Sequence, residues 1–199
     1  DVLENGPSSR FAAFFDVDWD FSPAAGEHDN RVLLPVLGDH FGRILDRGEL
    51  RIERRGAAFM FRYYDNIFPL APRSCAAFLG QAGKAAESDE LRFFAVSLGS
   101  LPGPHRTDRA AVERRHRDKT VILSYLAELL DTRPTARRSL DDEIEAINAS
   151  ADRLDEIHAR QNYRLAHWRL SGSDLGYRRF FDINSLIGLR MEDEGVFEA

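Results

Sequence analysis

The apolar residues of this chain change their spacing once, near Pro72, and this change limits the folds that the chain can adopt. Before Pro72 the apolar runs are short and strand-sized, and Gly, Pro, Asp and Ser bound them. From residue 72 to about residue 160, apolar positions recur at spacings of three and four, which is typical of helices. The pattern predicts an α+β fold that is mostly helical.

The clearest local signal is a β-hairpin. Residues 50–54 alternate apolar and polar side chains, residues 55–57 suit a turn, and residues 59–64 resume a β-rich pattern before Asp65 and Asn66 end it. Because alternate side chains point to opposite faces of a strand, one face should pack inward. That face carries Leu50, Ile52, Phe59, Phe61 and Tyr63.

Two earlier apolar runs, residues 11–15 and 32–37, are also predicted as short extended segments. Pro35 cannot donate a ladder hydrogen bond, which favours an edge strand or a buried extended segment for the second run. Near the other end of the chain, residues 177–183 are predicted as a strand.

Helices are predicted over residues 74–81 and 90–98, and residues 101–104 stop the second one. Thr107 or Asp108 can cap a long helix whose first half, residues 109–119, is nearly all charged; it should end at residues 133–134. Asn148 and Ser150 prefer caps to helix interiors, so we expect them to divide the next helical region into two helices. Its apolar stripe, interpreted as core packing, consists of Leu140, Ile144, Ile147, Ala151, Leu154 and His158.

Composition excludes several classes of protein. The net charge of −6 argues against a nucleic-acid partner, which needs a surplus of Lys and Arg. The longest apolar stretches, such as residues 121–130, are about half of what a membrane span needs, and nothing resembles a signal peptide. The single Cys75 excludes an internal disulfide and a Cys-based zinc site. A cytoplasmic protein without membrane contact is expected, and both chain ends look cut.

Few residues suggest chemistry by themselves. Asp16 and Asp18 share one side of a strand, and Asp182 lies at the carboxyl end of another, so each could serve glycoside chemistry. An aspartate at a strand end more often caps a turn. The six histidines are scattered without metal-site spacing, and His158 is interpreted as a hydrogen-bonded core residue. Neither a nucleophilic-serine motif nor a nucleotide-binding motif occurs, so the sequence supports neither a serine nucleophile nor a bound nucleotide.

The last forty residues are rich in aromatic residues and arginine. Sugars offer flat C–H faces that pack on aromatic rings, and hydroxyl groups that suit Arg, Asn, Gln and Asp, so this mixture can line a carbohydrate groove. The same residues could instead form a domain core with arginines that reach the solvent, and composition alone favours this interpretation. Both interpretations stay open.

Several segments, in order along the chain, resemble maltooligosyltrehalose synthases. Residues 1–9 read DVLENGPSS, residues 14–19 FFDVDW and residues 32–39 VLLPVLGD; residues 62–65 and 71–74 continue the likeness with RYYD and APRS. It resumes in residues 161–169, QNYRLAHWR, and 177–184, YRRFFDIN. The resemblance is weakest between about residues 80 and 150.

The resemblance implies a retaining enzyme on a (β/α)8 barrel, similar to the α-amylases. Such an enzyme turns the reducing-end α-1,4 bond of a maltooligosaccharide into an α,α-1,1 bond through a covalent glycosyl intermediate, in trehalose biosynthesis. Its chemistry implies no metal or organic cofactor. Its expected partners are the maltooligosaccharide, the rest of the barrel and, in function, maltooligosyltrehalose trehalohydrolase. The three catalytic carboxylates of the family lie outside this chain, so the chain alone is expected to be inactive.

The chain itself resembles the insertion that follows the third barrel strand, a mostly helical domain with a small antiparallel hairpin. We expect four parts: barrel-proximal segments and a short helix in residues 1–47, the hairpin in 48–65, a helical subdomain in 66–160, and a return to the barrel and cleft in 161–199. Alternatives are a non-catalytic carbohydrate-binding or structural module, and a fragment of an amylase-type hydrolase. The candidate substrate-binding residues are Gln161, Tyr163, Arg164, Trp168, Tyr177, Arg178, Phe180, Asp182 and Asn184.

Overall fold

The computed structural model describes residues 1–19, 31–172, 179–180, 183–187 and 189–190, with only the backbone described for 171–172, 179–180 and 183–187. Within these ranges the chain is mostly helical and contains a small three-stranded antiparallel sheet. This agrees with the predicted α+β class.

The N-terminal segment is made of short turns. Helix α1 (Val2–Asn5) runs into a 3-10 turn at Gly6–Ser8, and a second 3-10 turn covers Ala12–Phe14. The extended segment predicted over residues 11–15 is therefore wrong for most of its length; Phe15 alone forms a bridge, with Leu189. Gly6 has a φ of 62°, and a Cβ there would lie 3.0 Å from the Asn162 side chain, so the turn requires glycine.

Two parallel strands join distant parts of the chain. Strand β1 (Val32–Leu37) pairs with β5 (Tyr163–His167), with an irregularity between Pro35 and Leu37. The extended segment predicted around Pro35 is confirmed, whereas its parallel partner was not predicted. Helix α2 (Phe41–Asp46) follows β1.

The predicted hairpin is confirmed and has a third strand. Strands β2 (Leu50–Arg55) and β3 (Ala58–Tyr63) pair in antiparallel register, and β4 (Asn66–Pro69) adds to β3. Asn66 therefore begins a strand, although it was predicted to end the hairpin. All five side chains expected on the inner face are buried.

The helical region contains five helices. They are α3 (Ala76–Ala85), α4 (Asp89–Gly99), α5 (Arg109–Thr132), α6 (Pro134–Asn148) and α7 (Ala151–His158), and a 3-10 turn at Pro72–Cys75 precedes them. Asp108 caps α5 by accepting a hydrogen bond from Ala111 N, and Ser150 caps α7 through Arg153 N. The predicted cap and the predicted division of the last helical region are thus confirmed.

The predicted apolar stripe packs under the antiparallel sheet. Five of its six members are buried, and Ala151 is half-buried. Asn148 joins this helical layer to the sheet, because its side chain accepts from Ile52 N at 2.7 Å and donates to Ile52 O at 3.0 Å. The stripe is therefore core, as expected.

The charged first half of α5 is partly buried, which the sequence pattern did not indicate. Arg115, His116 and Lys119 are each less than 10% exposed. Arg115 Nε donates to Asn5 Oδ1 at 3.1 Å, and Lys119 Nζ lies 2.8 Å from Glu4 Oε2. The N-terminal turns cover this face of α5, and polar contacts replace the water that its charges lose.

The last described elements are a 3-10 turn at Trp168–Gly172 and strands β6 (Arg179–Phe180) and β7 (Ile183–Ile187), which pair in antiparallel fashion. The strand predicted over residues 177–183 agrees with these two elements at residues 179–180 and 183; its other residues lie outside the described part. None of the helices in the described ranges combines the length and apolarity that a membrane span requires.

Candidate functional site

The carboxyl ends of the two parallel strands form the candidate site. Leu37 and His167 are paired in the last register of β1 and β5. The chain then continues into His40 from β1 and into Trp168 from β5. Functional side chains of parallel sheets commonly lie at such ends, where adjoining strands deliver them to one edge.

Rings gather at this edge. The His40 and His167 ring centroids are 5.3 Å apart, and the Trp168 ring lies 5.8 Å from that of His167. Trp168 is 52% exposed, and the Arg169 guanidinium lies 5.5 Å from its ring centroid. An exposed indole held between a cation and an imidazole offers a flat surface for a ligand with an apolar face.

A cavity of about 360 Å³ opens beside these rings. Its polar lining is mainly basic or imidazole: Arg31, Arg164, His40 and His167 contribute to it, with Asp155 as an acidic member. Leu170 adds an exposed apolar side chain. The arrangement can donate several hydrogen bonds to a hydroxylated or anionic ligand.

His158 forms the floor of the cavity. Its Nε2 accepts a hydrogen bond from Leu165 N at 3.0 Å, and its ring lies 4.2 Å from that of Phe41. Burial, together with the smaller effect of the nearby positive charges of Arg31 and Arg164, lowers the pKa of His158 to about 4. The imidazole is therefore neutral at pH 7, as an acceptor for a backbone N–H must be.

Gln161, the first predicted binding residue, is buried below the strand ends. Its Oε1 accepts from Ala71 N at 2.7 Å, and its Nε2 donates to Ser74 Oγ at 3.0 Å and Ile157 O at 2.6 Å. These contacts tie α7 to the 3-10 turn at Pro72–Cys75. The carboxamide of Gln161 is therefore engaged in hydrogen bonds within the protein.

Tyr163, the second predicted binding residue, is fully buried in β5. Its hydroxyl donates to Pro69 O at 3.1 Å, and burial raises the pKa of the phenol. A related contact fixes the other strand: Gly38 N donates to the Tyr63 hydroxyl at 2.9 Å. Both tyrosines hold strand backbone in place around the candidate site.

Of the predicted residues, Arg164 and Trp168 are both exposed: Trp168 follows the carboxyl end of β5, and Arg164, near the start of that strand, lines the cavity. Three others, Tyr177, Arg178 and Asp182, lie outside the described residues. Phe180 and Asn184 lie in β6 and β7, where side chains are not described. For all nine residues a binding role stays a prediction.

Of the three aspartates considered for glycoside chemistry, Asp16 and Asp18 belong to the N-terminal segment, and Asp182 lies outside the described residues. Asp16 Oδ1 is 3.6 Å from Arg190 Nε, while Asp18 is exposed and the intervening Val17 is buried. In the described ranges, no three His, Cys, Asp or Glu side chains converge as a metal site requires.

Sequence reasoning missed His40 and His167 as site residues. His40 comes shortly after β1, and His167 ends β5. These paired strands are about 130 residues apart in the sequence, so the proximity of the two histidines has no local sequence signal. A weak indication was available, because His167 lies inside the segment QNYRLAHWR and His40 directly follows VLLPVLGD.

The relatives found by comparison with known proteins carry the same name. No model of a protein family matches the chain. Two proteins of Mycobacterium tuberculosis, from strains CDC 1551 / Oshkosh and H37Rv, are provisionally named maltooligosyl trehalose synthase; each is 28% identical over all 199 residues. The chain spans 14% of the length of each of these relatives.

Solved structures support the fold. A glycosyltrehalose synthase from strain DSM5389 matches with a TM-score of 0.51 and 17% identity, over the whole of this chain and 17% of that one. A maltooligosyl trehalose synthase matches with a TM-score of 0.50 and 19% identity, over the whole of this chain and 15% of that one. Along its entire length, this chain is therefore similar to a segment of the maltooligosyltrehalose synthases.

Proposed function

We propose that this chain is part of a maltooligosyltrehalose synthase, as the insertion that follows the third strand of its (β/α)8 barrel. The whole enzyme would convert the reducing-end α-1,4 bond of a maltooligosaccharide to α,α-1,1 by intramolecular transglucosylation. The observation that carries this proposal is the similarity to the two named relatives over all 199 residues. The likeness to two solved structures supports the corresponding fold.

The share of this chain would be one wall of the substrate cleft. His167 and Trp168 lie at the carboxyl end of β5, and Arg164, near the start of the same strand, lines an open cavity together with His167. A glucose ring could stack on the exposed indole of Trp168 while its hydroxyl groups bond to the guanidinium of Arg164. Gln161 and Tyr163 would act as positioning residues, since their polar groups hold the backbone beneath this wall.

The rest of the enzyme would supply the reacting groups. A carboxylate nucleophile and a carboxylic acid would form and resolve the glycosyl intermediate, and the anomeric hydroxyl of the retained glucose would attack it. A wall that excludes water favours this attack over hydrolysis. The enzyme would work in the cytoplasm without a cofactor, and maltooligosyltrehalose trehalohydrolase would consume its product.

The test replaces Arg164 and Trp168 separately by Ala in the full-length enzyme, with maltopentaose as substrate. Loss of a stacking ring or of a charge-assisted hydrogen bond should cost about 1–2 kcal/mol, or roughly five- to thirtyfold in kcat/KM for the non-reducing product. Ile67→Ala, an exposed apolar residue on β4, is the control. Unchanged kinetics in both variants would remove this wall from the cleft.

A purely structural module is the second candidate. The internal hydrogen bonds of Gln161 and Tyr163 favour it, because residues that bind sugar usually keep polar atoms free for the ligand. Calorimetric titration of the chain with maltopentaose separates the candidates: heat of binding supports a sugar-binding wall, and its absence supports a structural one. An amylase-type hydrolase would instead give new reducing ends when the full-length enzyme acts.

A further inference from the structure

A second open groove lies between helices α4 and α5, and two aromatic rings stand out of it. Phe93 is 64% exposed and Tyr125 is 59% exposed. Both line a depression of about 480 Å³ that shares no residue with the cavity at the parallel strand ends. Large aromatic side chains are costly to leave in water, so such a pair indicates a contact that the isolated fold does not make.

The helical period places hydrogen-bonding groups beside each ring. On α4, Glu90 and Phe93 are three residues apart; on α5, Glu128 and Thr132 lie three and seven residues after Tyr125. Residues at these spacings share one face of a helix. The groove thus has an aromatic ring and an acceptor oxygen on each wall, and buried Phe94 contributes to its lining.

The Glu90 carboxylate, at one end of the groove, is partly neutralised by a neighbouring cation and is held in one orientation. Ser88 Oγ donates to Glu90 Oε2 at 2.9 Å, and Arg133 Nη2 lies 3.9 Å from Glu90 Oε1. Backbone and Ser88 hydrogen bonds lower the pKa of Glu90, so its carboxylate is an acceptor at neutral pH. Arg133 places donors beside it.

We propose that this groove binds an α-1,4-glucan chain, as a surface site separate from the cleft wall. The proposal rests on the proposed function for its ligand class. Apolar C–H faces of successive glucose units would pack on Phe93 and Tyr125, and their hydroxyl groups would bond to Glu90, Glu128 and Arg133.

The exposed ring area argues against a second protein as the occupant. Two rings of about 200 Å² each, some 60% exposed, offer about 250 Å², whereas each partner in a stable protein complex buries about 800 Å². Charged groups also border both rings, on a patch too small to exclude water from them. Two rings in one groove, with hydrogen-bonding groups beside them, match a sugar chain better.

The experiment compares the full-length enzyme with its Phe93→Ala and Tyr125→Ala variants. Electrophoresis through gels that contain soluble amylose measures binding of the long glucan, and turnover of maltopentaose monitors the cleft. We expect each variant to bind amylose at least fivefold more weakly and to convert maltopentaose at the wild-type rate. Tyr125→Phe, which keeps the ring, should retain most of the binding.

Val96→Ala is the matched control, because Val96 is 69% exposed on α4 and does not line the groove. If wild type binds amylose and both variants bind it equally well, this proposal is overturned while the proposed function stands. If wild type neither binds amylose nor converts maltopentaose, the proposed function fails as well. A change of oligomeric state in the variants, with amylose binding unaltered, would mark a protein-docking surface and also overturn the proposal.

Discussion

The backbone N–H of Leu165 donates a hydrogen bond to Nε2 of His158, over 3.0 Å. This bond connects the last turn of α7 to strand β5, seven residues later, and it lies directly below the candidate cleft wall. It forms only with a neutral imidazole, because a doubly protonated ring has no acceptor nitrogen. The stability of the strand that carries Arg164 and His167 is therefore linked to pH.

We expect the free energy of unfolding to decrease as the pH falls from about 6.5 to about 4. The pKa of His158 is about 4 in the folded protein and near 6.5 when unfolded, so the unfolded state binds the proton first. The stabilisation is fully present above pH 6.5, and about 3 kcal/mol is lost across this range. Urea unfolding at a series of pH values measures the loss.

His158→Gln should flatten that pH dependence, since its carboxamide can still accept from Leu165 N without titrating. Burial also lowers the pKa of His116, which contributes in the same direction in wild type and variant alike, so the difference between the two proteins isolates His158. The exposed His105, replaced by Gln, is the control. Equal slopes for wild type and His158→Gln would contradict the prediction.

Arg115→Met should destabilise the protein by about 3 kcal/mol. Arg115 is 1% exposed, donates to Asn5 Oδ1 and Pro102 O, and burial lowers its pKa to about 10, so it stays charged at pH 7. Methionine has similar length but leaves both acceptors without their donor. Chemical denaturation measures the change. Arg114→Met, on the exposed face of the same helix, should stay within about 0.5 kcal/mol of wild type.

Asn148→Ala should weaken the junction between the antiparallel sheet and α6. The substitution leaves Ile52 N and Ile52 O buried without their side-chain partners, at a cost of about 2–3 kcal/mol. Glu145→Ala is the comparison, because Glu145 contacts Arg51 at 2.9 Å in an exposed ion pair worth less than about 1 kcal/mol. Equal midpoints of urea denaturation in the two variants would show that Asn148 does not stabilise this junction.

Cys75 should resist thiol reagents until the protein unfolds. The thiol is buried, and burial raises its pKa well above the usual range, so little thiolate forms at pH 8. Because the chain has one cysteine, the absorbance released by a disulfide reagent reports this site alone. We expect one equivalent to react rapidly in 6 M guanidinium chloride and almost none in buffer; rapid labelling of the native protein would contradict the buried placement.

Local patterns predicted the hairpin and most helix boundaries well. Asp108 and Ser150 cap helices through backbone groups three residues away, and the alternation of residues 50–54 sets the faces of a single strand. Such features depend only on near neighbours in the sequence. The residues of the candidate site were harder to predict from the sequence. Four residues of the segment 161–169 were predicted to bind sugar, yet Gln161 and Tyr163 are buried while Arg164 and Trp168 are exposed.

The sequence by itself determined the α+β class, the core face of the hairpin and the apolar stripe of α6 and α7, because hydrophobic period and turn chemistry are local properties. Only the tertiary structure decided that β1 pairs with β5, that His40 meets His167, and that the N-terminal turns cover the charged half of α5. Each of these depends on a partner more than one hundred residues away. Whether a polar side chain is buried is set by that partner's hydrogen bonds, which no local pattern records.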